Sequence, residues 1–310
     1  MAKSVLVTGG AGFIGSHIAD ALLDLGHTVH VMDNLSTGRS ENVPEAASFF
    51  ELDIRSDSAA DLVATQQYDC MVHHAAQMNV RRSVEDPQFD ADVNIGGLLN
   101  LMEAGIKNGL ETVIFASTGG AIYGEPEFVP QTTNHPLRPM SPYGITKLAS
   151  EKYLSFYQQQ HRVRTVSLRY GNVYGPRQNA HGEAGVVAIF AGQMLNGGQP
   201  VIYGDGTQTR DYVYVDDVVR ANMAALQSGE SGVFNVGTAT ETSVNELFEV
   251  LASATKSHTQ RKYAPARPGE QDRSVLGCEE TNLHIGWKPE VDLTEGIVRT
   301  VEWMRKKQNK

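Results

Sequence analysis

Cysteine is nearly missing from this chain: Cys70 and Cys278 are the only two in 310 residues, far apart and in no metal-ligand spacing, which excludes a cysteine-based metal site. Cys70 falls in an apolar run and reads as a buried free thiol. Positive charge is in deficit. The 26 Lys and Arg stand against 36 Asp and Glu, for a formal net charge of −10 at pH 7. A chain of that sign lacks the attraction on which nonspecific nucleic-acid binding rests, although a few arginines suffice for a small anionic ligand. No apolar run approaches the roughly 18 residues that a membrane span requires. The opening Met-Ala-Lys-Ser-Val-Leu-Val runs straight into a strand pattern, so the expectation is a cytoplasmic protein with no nucleic-acid and no membrane partner. Internal repeats and low-complexity tracts are absent too.

Hydrophobic residues at 41% and charged residues at 20% are ordinary for a globular protein, and the length allows one large domain or two modest ones. Short apolar runs alternate with amphipathic ones. Strands are expected at Ser4–Thr8, Thr28–Asp33, Ser48–Leu52, Cys70–His74, Thr112–Ser117 and Arg164–Arg169, and helices at Gly15–Leu25, Asp92–Asn108 and Pro142–Gln160. That alternation predicts an α/β fold, a doubly wound parallel (Rossmann) sheet over residues 1–170 that binds a dinucleotide. Past Tyr170, glycine, proline and polar residues cluster in Gly171–Gly185, Asn196–Gly206 and Pro265–Gly269. Residues 171–310 therefore read mainly as a smaller C-terminal substrate-binding lobe, with a return to the sheet near 211–255, around Val233–Val236.

The first strand ends in Thr8-Gly-Gly-Ala-Gly-Phe-Ile-Gly15. Glycine at 9 or 10, at 12 and at 15 lets the backbone turn tightly, approach a pyrophosphate and pack the following helix close, while the helix N-terminus offers N–H groups to the phosphates. Asp33 closes the second strand, 18 residues after Gly15. A carboxylate there accepts hydrogen bonds from the adenosine ribose hydroxyls and repels a 2′-phosphate, which points to NAD rather than NADP.

Tyr143-Gly-Ile-Thr-Lys147 places a phenol and an ammonium four residues apart, on one face of a helix that Ser141 can cap and Pro142 can open. A free phenol titrates near ~10, too high for a base at neutral pH; Lys147 and a nicotinamide cation are expected to lower it. Thr118, in Ala-Ser-Thr-Gly-Gly at the end of the fifth strand, could hold a substrate hydroxyl and relay its proton.

With these residues the chain resembles the extended short-chain dehydrogenase/reductases, and within them the UDP-glucose 4-epimerases, over essentially its whole length. Thr8–Gly15, Asp33–Ser36, His74-Ala-Ala76, Ser117–Gly124, Ser141–Lys147, Leu168–Pro176 and Gly204-Asp-Gly206 through Arg210–Asp217 carry the resemblance. It implies NAD-dependent inversion at C4 of a UDP-hexose by Thr118, Tyr143 and Lys147, through a 4-keto sugar. It implies NAD contacts from Gly9, Gly12, Phe13, Ile14, Gly15, Asp33, Asn34, Ser36, Thr37, Gly38, Asp53, Ile54, His74, Ala75, Ala76, Gln77, Asn94, Ser117, Tyr143, Lys147 and Tyr170. Substrate contacts are implied from Thr118, Tyr143, Asn172, Val186, Val187, Val201, Ile202, Tyr203, Arg210, Arg267, Glu270 and Ser274. A homodimer is implied as well, through a bundle formed by the helices of Asp92–Asn108 and Pro142–Gln160.

The chain departs from the family pattern in places. Thr118-Gly-Gly-Ala-Ile-Tyr123 runs one residue longer than the commoner Ser-x-x-Val-Tyr form, Met78 stands where some relatives carry lysine, and Gly171 where many carry an aromatic residue. Ser274 is small, which leaves room for an N-acetyl group. Adjacent His73 and His74 invite a metal, but neighbouring strand residues point to opposite faces, and no metal is expected. Rival activities are UDP-glucuronate epimerisation, decarboxylation and dehydration. The last calls for an acid/base pair after the threonine, where this chain has Gly119 and Gly120. A noncatalytic NAD-binding regulator is the alternative from another class.

Overall fold

A strand turns successive side chains to opposite faces. In β1 (Ser4–Thr8) this sends Val5 and Val7 to one side and Leu6 to the other, all three fully buried. A strand apolar on both faces belongs inside a parallel sheet covered twice. The computed structural model describes residues 2–179, 185–266 and 271–308. After β1 come α1 (Phe13–Asp24), β2 (Thr28–Asp33), β3 (Ser48–Glu51), α2 (Asp57–Thr65) and β4 (Cys70–His73). Two short helices, α3 (Val80–Glu85) and α4 (Pro87–Ala91), precede a π-helical turn at Asp92–Gly96 and then α5 (Gly97–Lys107). The expected single helix over Asp92–Asn108 is thus split, and Gly97, opening the regular part, lies so close to Ile54 that a Cβ would stand 2.6 Å from its Cγ1. β5 (Thr112–Thr118), α6 (Gly119–Ile122), α7 (Pro142–His161) and β6 (Arg164–Tyr170) complete the first 170 residues.

Beyond them the chain forms β7 (Asn172–Tyr174), α8 (Val186–Leu195), β8 (Val201–Tyr203), β9 (Thr209–Arg210), β10 (Tyr212–Tyr214), α9 (Val215–Ser228) and β11 (Gly232–Val236). It ends with β12 (Thr242–Ser243), α10 (Val244–Thr255), β13 (Lys262–Ala264), α11 (Glu279–Ile285) and α12 (Leu293–Gln308).

Seven strands form one parallel sheet in the order β11-β6-β5-β4-β1-β2-β3. The order reverses between β1 and β4, and a crevice at such a switch point is where doubly wound sheets bind ligands. One face carries Val5, Val7, Val72, Ile114 and Val166 against α1 and α9. The other carries Leu6, Met71, Val113 and Phe115 with Leu101 of α5 and Leu154 of α7. Cys70 is fully buried on the first face. A separate core holds β10, α8, α10 and α12 together around Phe190 and Phe248, whose rings meet edge-on at 6.2 Å. Among the described residues no helix is long and apolar enough to cross a membrane.

Two histidines follow one another at the end of β4, His73 buried and His74 half-buried. His73 Nδ1 lies 2.9 Å from the Thr8 hydroxyl on one face, and His74 Nε2 lies 3.1 Å from the Tyr170 hydroxyl on the other. Burial pushes both rings down to about 3. Their folded-state values sit below the unfolded one, so the unfolded chain binds more protons in acid. Their contribution is whole above about 6.5 and is lost as pH falls toward 3, at up to about 1.4 kcal/mol per group per pH unit. Urea unfolding should therefore give a stability at pH 5 about 4 kcal/mol below that at pH 7, with the difference reduced in His74→Leu. Equal stabilities at the two values would contradict this.

Candidate active site

The turn after β1 is built by close approach. Gly9 adopts φ +69°, and a Cβ on it would stand 2.6 Å from the Ala75 backbone nitrogen; one on Gly12 would stand 3.1 Å from the Gly9 carbonyl. The turn is thus pressed against the segment leaving β4, with α1 starting at Phe13, earlier than expected because Gly12 serves as its N-cap. The first N–H groups of α1 and the positive end of its dipole face outward from the sheet's carboxyl edge, a ready anion site. Ile14 packs on the core behind this turn and Phe13 on the core of the second lobe.

Asp33 ends β2 with its carboxylate accepting from the Ala11 N–H at 3.1 Å and the Leu35 N–H at 2.8 Å. Burial raises its pKa and the two N–H groups oppose that. Asn34, Ser36 and Thr37 are exposed in the loop that follows, and Gly38 folds back so closely that a Cβ would stand 2.9 Å from both Asp33 oxygens. Asn34 Nδ2 donates to Asp53 at 3.2 Å, and Arg55 holds the Asp53 carboxylate down to about 2. Ile54 is buried against α5, so its side chain shapes the pocket from behind. Ala75 and Ala76 are half-buried at the end of β4. Gln77 and Asn94 bond reciprocally, Gln77 N–H to Asn94 Oδ1 at 2.9 Å and Asn94 Nδ2 to the Gln77 carbonyl at 3.0 Å.

These features fit a dinucleotide: a glycine turn packed too tightly on the His74–Ala75 backbone to admit a side chain at Gly9, a carboxylate at the end of the second strand, and a buried imidazole nitrogen, His74 Nδ1, with no protein partner among the described residues. Its ring is fixed by Tyr170, whose hydroxyl also receives Asn222 Nδ2 at 2.9 Å.

The reactive pair is placed by α7. Ser141 caps it, its hydroxyl accepting from the Gly144 N–H at 3.2 Å, and Pro142 occupies the first turn, so Tyr143 and Lys147 lie one turn apart as the spacing requires. Lys147 is buried. Its ammonium donates to the Ala116 carbonyl at 2.8 Å and lies 4.6 Å from the Phe115 ring centre and 6.0 Å from that of Tyr143. Burial pulls the ammonium down to about 8, while the charges of Asp90 and Glu151 hold it up.

The Tyr143 phenol differs from expectation. Burial pushes it up to about 12 and Asp90 pushes the same way, with a hydrogen bond from Thr118 the one opposing influence. Lys147 at this distance does not offset desolvation, and a cationic ring beside the phenol is the charge that the chain itself does not supply.

Thr118 and Tyr170 are register partners at the ends of β5 and β6. Ser117 faces the other way: its hydroxyl donates to Glu151 Oε1 at 2.6 Å, so any ligand contact from it is through backbone. Glu151 in turn forms a buried two-pronged pair with Arg169 at 2.9 and 2.7 Å, and Arg169 Nη1 donates to the Tyr123 hydroxyl at 2.8 Å. This network anchors β5, β6 and α7 under the pair.

The second lobe reaches the same point. A Cβ on Gly120 would lie 3.8 Å from Asn172 Oδ1 and 4.0 Å from Thr118 Oγ1, so both side chains face one small volume above α6. The Asn172 N–H donates to the Asp211 carbonyl at 2.7 Å, joining β7 to β10. Fully buried Asp211 accepts from the N–H groups of Thr238, Ala239 and Leu276 and from the Thr238 hydroxyl, which fixes the backbone beside half-buried Arg210. At Gly171 a Cβ would stand 2.9 Å from the Asp211 carbonyl, which leaves no space for an aromatic residue there. Val186, Val201 and Tyr203 are half-buried; Val187 and Ile202 are fully in the lobe's core and support a wall rather than facing it. Ser274 is buried. Arg267 and Glu270 lie outside the described residues. Among the described residues no three His, Cys, Asp or Glu are grouped to hold a metal ion.

Sequence reading missed Asp90, Thr146, Asp211 and the Glu151–Arg169 pair. Asp90 had a signal: it stands one helical turn before Asn94.

Comparison with known proteins agrees with this geometry. Residues 5–237 match the model of the NAD dependent epimerase/dehydratase family. The chain is 45% identical over 97% of its length to a putative UDP-glucose 4-epimerase of Methanocaldococcus jannaschii, covering 98% of that protein. Crystal structures of two UDP-glucose 4-epimerases superpose on it. The one from Thermotoga maritima with UDP-glucose gives a TM-score of 0.97 at 46% identity, over 98% of this chain and 99% of that one. The one from Thermus thermophilus with NAD gives 0.92 at 48% identity, over 97% and 99%. With a dinucleotide cradle, a Tyr–Lys pair and a second lobe meeting it at Asn172, the chain belongs to the NAD dependent epimerase/dehydratase family.

Proposed function

We propose that this protein inverts C4 of a UDP-hexose, interconverting UDP-glucose and UDP-galactose. The observation that carries the reading is the convergence of Thr118, Tyr143 and Lys147 at the carboxyl edge of the sheet, facing Asn172 of the second lobe. Relatives named UDP-glucose 4-epimerase at 45% and 44% identity over nearly the whole chain support it.

The glycine turn and the N-terminus of α1 hold the NAD pyrophosphate, and Asp33 takes the adenosine ribose hydroxyls. Asp53 and Ile54 lie at the adenine, Ala75, Ala76, Gln77 and Asn94 along the middle, and Lys147, Tyr170 and His74 at the nicotinamide end. Bound there, NAD would supply the acceptor, and then the donor, of the C4 hydride. As the C4–H and O4–H bonds break and C4=O forms, the proton passes to the Tyr143 phenolate, Thr118 steadying the oxygen from which it leaves. Lys147 keeps a positive charge beside the phenolate. Asn172, Arg210 and Arg267 hold the diphosphate, so the ketone stays tethered while the sugar presents its other face. Tyr143 then returns the proton to O4. Val186, Val201 and Tyr203 line the uridine side, backed by Val187 and Ile202, with Ser274 toward the sugar; the family resemblance assigns Glu270 to the substrate as well. Gly119 and Gly120, having no side chain to move a proton, leave elimination of water without an acid or base.

Incubation with UDP-glucose, UDP-galactose, their N-acetylated pair and UDP-glucuronate, with chromatography of the products, tests the reading. Inversion of the glucose/galactose pair is expected, and oxidation without inversion, or no reaction with any of them, contradicts it. Tyr143→Phe should lower kcat by at least about 10³-fold with NAD still bound, since the base of the hydroxyl is gone. Wild-type turnover in that variant would overturn the assignment of Tyr143.

The working unit is a homodimer joined through α5 and α7. α7 leaves Ile145, Tyr153 and Phe156 exposed on a helix whose other face is buried, a patch suited to a second copy. Sedimentation should give twice the chain mass at micromolar concentration, and Tyr153→Glu with Phe156→Glu should give a single chain. A wild-type monomer would contradict the dimer.

A further inference from the structure

One charge in the centre is not accounted for by the chemistry above. Asp90, on the short α4, is fully buried, and every partner it has is neutral: Gln77 Nε2 at 2.8 Å, Asn94 Nδ2 at 3.2 Å and the Thr146 hydroxyl at 2.8 Å. Gln77 Nε2 and Asn94 Nδ2 can only donate, both to Oδ1, and the Thr146 hydroxyl lies against Oδ2 with the Tyr143 carbonyl, at 3.0 Å, as its other acceptor. A buried carboxylate without a paired cation is costly to keep, and such groups concentrate at sites where the charge is used. The one other carboxylate acting on Lys147, Glu151, is already bound two-pronged to Arg169. Asp90 is therefore the carboxylate left to balance the ammonium. Thr146, which bonds it, directly precedes Lys147 on α7, and Asn94, which also bonds it, joins Gln77 on the strip that leads from β4.

We infer that the Asp90 carboxylate is the fixed counter-charge of the reaction centre, a positioning residue that acts through space on Lys147 and Tyr143 together and through Thr146, Asn94 and Gln77 ties α7 to the cofactor strip. The inference rests on the epimerase reading for its kinetic consequence; its electrostatic one rests on the burial of Asp90 and its bond to Thr146, the residue before Lys147.

A negative charge favours the ammonium over the amine and the phenol over the phenolate, so it raises both titrations; its removal lowers both. The direction of Asp90's influence on the two groups agrees. The other groups around the pair are Glu151 with Arg169 across α7 and β6, Thr118 on β5, and His73 and His74 on β4, which burial keeps neutral. The two histidines stay neutral and Arg169 stays charged through the neutral range. Asp90 thus sets where the working window lies: it keeps Lys147 charged to higher pH, and holds back formation of the phenolate.

The test is Asp90→Asn in the NAD-loaded enzyme, read two ways. In the pH profile of kcat both limbs should move toward acid by about one pH unit, the rising limb with the phenolate and the falling limb with the ammonium. The ultraviolet absorbance of phenolate, taken as the difference from the same protein carrying Tyr143→Phe, should show Tyr143 ionising at lower pH by a similar amount. Asp90→Glu, which keeps the charge, should return both toward wild type. If the amide of Asn crowds the donors and prevents folding, Asp90→Ser, with room for water, repeats the measurement. A profile of unchanged position but lower height, with an unchanged phenolate titration, would overturn the inference and leave Asp90 a purely structural residue. The absorbance titration stands even if no UDP-sugar is turned over, so failure of the epimerase reading and failure of this one are told apart.

Discussion

The burial of a single ammonium, Lys147, organises this molecule. Its backbone lies in α7 and its nitrogen is fixed on the Ala116 carbonyl of β5, so the side chain ties helix to sheet. Placing a charge there requires the sheet edge, the capped helix and the carboxylates around it to be held in register, and the Ser117–Glu151–Arg169–Tyr123 network does that holding. Taking one partner from such a buried pair typically costs about 3–5 kcal/mol, so this layer has little freedom to shift. The reactive phenol inherits that rigidity, being one turn from Lys147 on the same helix.

The same environment moves the two titrations in opposite directions. Desolvation makes Lys147 easier to deprotonate and Tyr143 harder, both away from the charged pair that a proton transfer at C4 uses. The chain offsets the first with Asp90 and Glu151. For the second it offers the Thr118 hydroxyl alone. On the proposed reading, a cation brought against this phenol would favour its ionisation and so couple its readiness as a base to the oxidised form of NAD.

Much of this was legible in the sequence because it is local. Strands with apolar residues on both faces, the glycine spacing of the turn, the Ser141–Pro142 cap and the i, i+4 relation of Tyr143 and Lys147 are all set within a few residues, and each lies in the structure where its spacing puts it. What was not legible depends on residues distant in sequence. Asp90 meets Thr146 across 56 positions, Ser117 meets Glu151 across 34, and Asp211 receives Thr238 and Leu276 from across 27 and 65. No period or motif announces such pairs. The direction of the Tyr143 shift was missed for the same reason: charge spacing along a helix was visible, whereas the degree of desolvation and a carboxylate from another element were not.

The second lobe shows how a small separate core serves the large sheet. Its core around Phe190 and Phe248 supports β10, β10 pairs with β7, and β7 begins at Asn172, which shares a volume with Thr118. On the proposed reading, substrate binding and chemistry meet at one strand end. The most direct test of the account is the fate of the C4 hydrogen. With UDP-galactose deuterated at C4, the account predicts UDP-glucose carrying the deuterium at C4, with none lost to solvent and none found elsewhere on the ring. Deuterium washed out into water, or retained at C4 in a product whose configuration is unchanged, would contradict it.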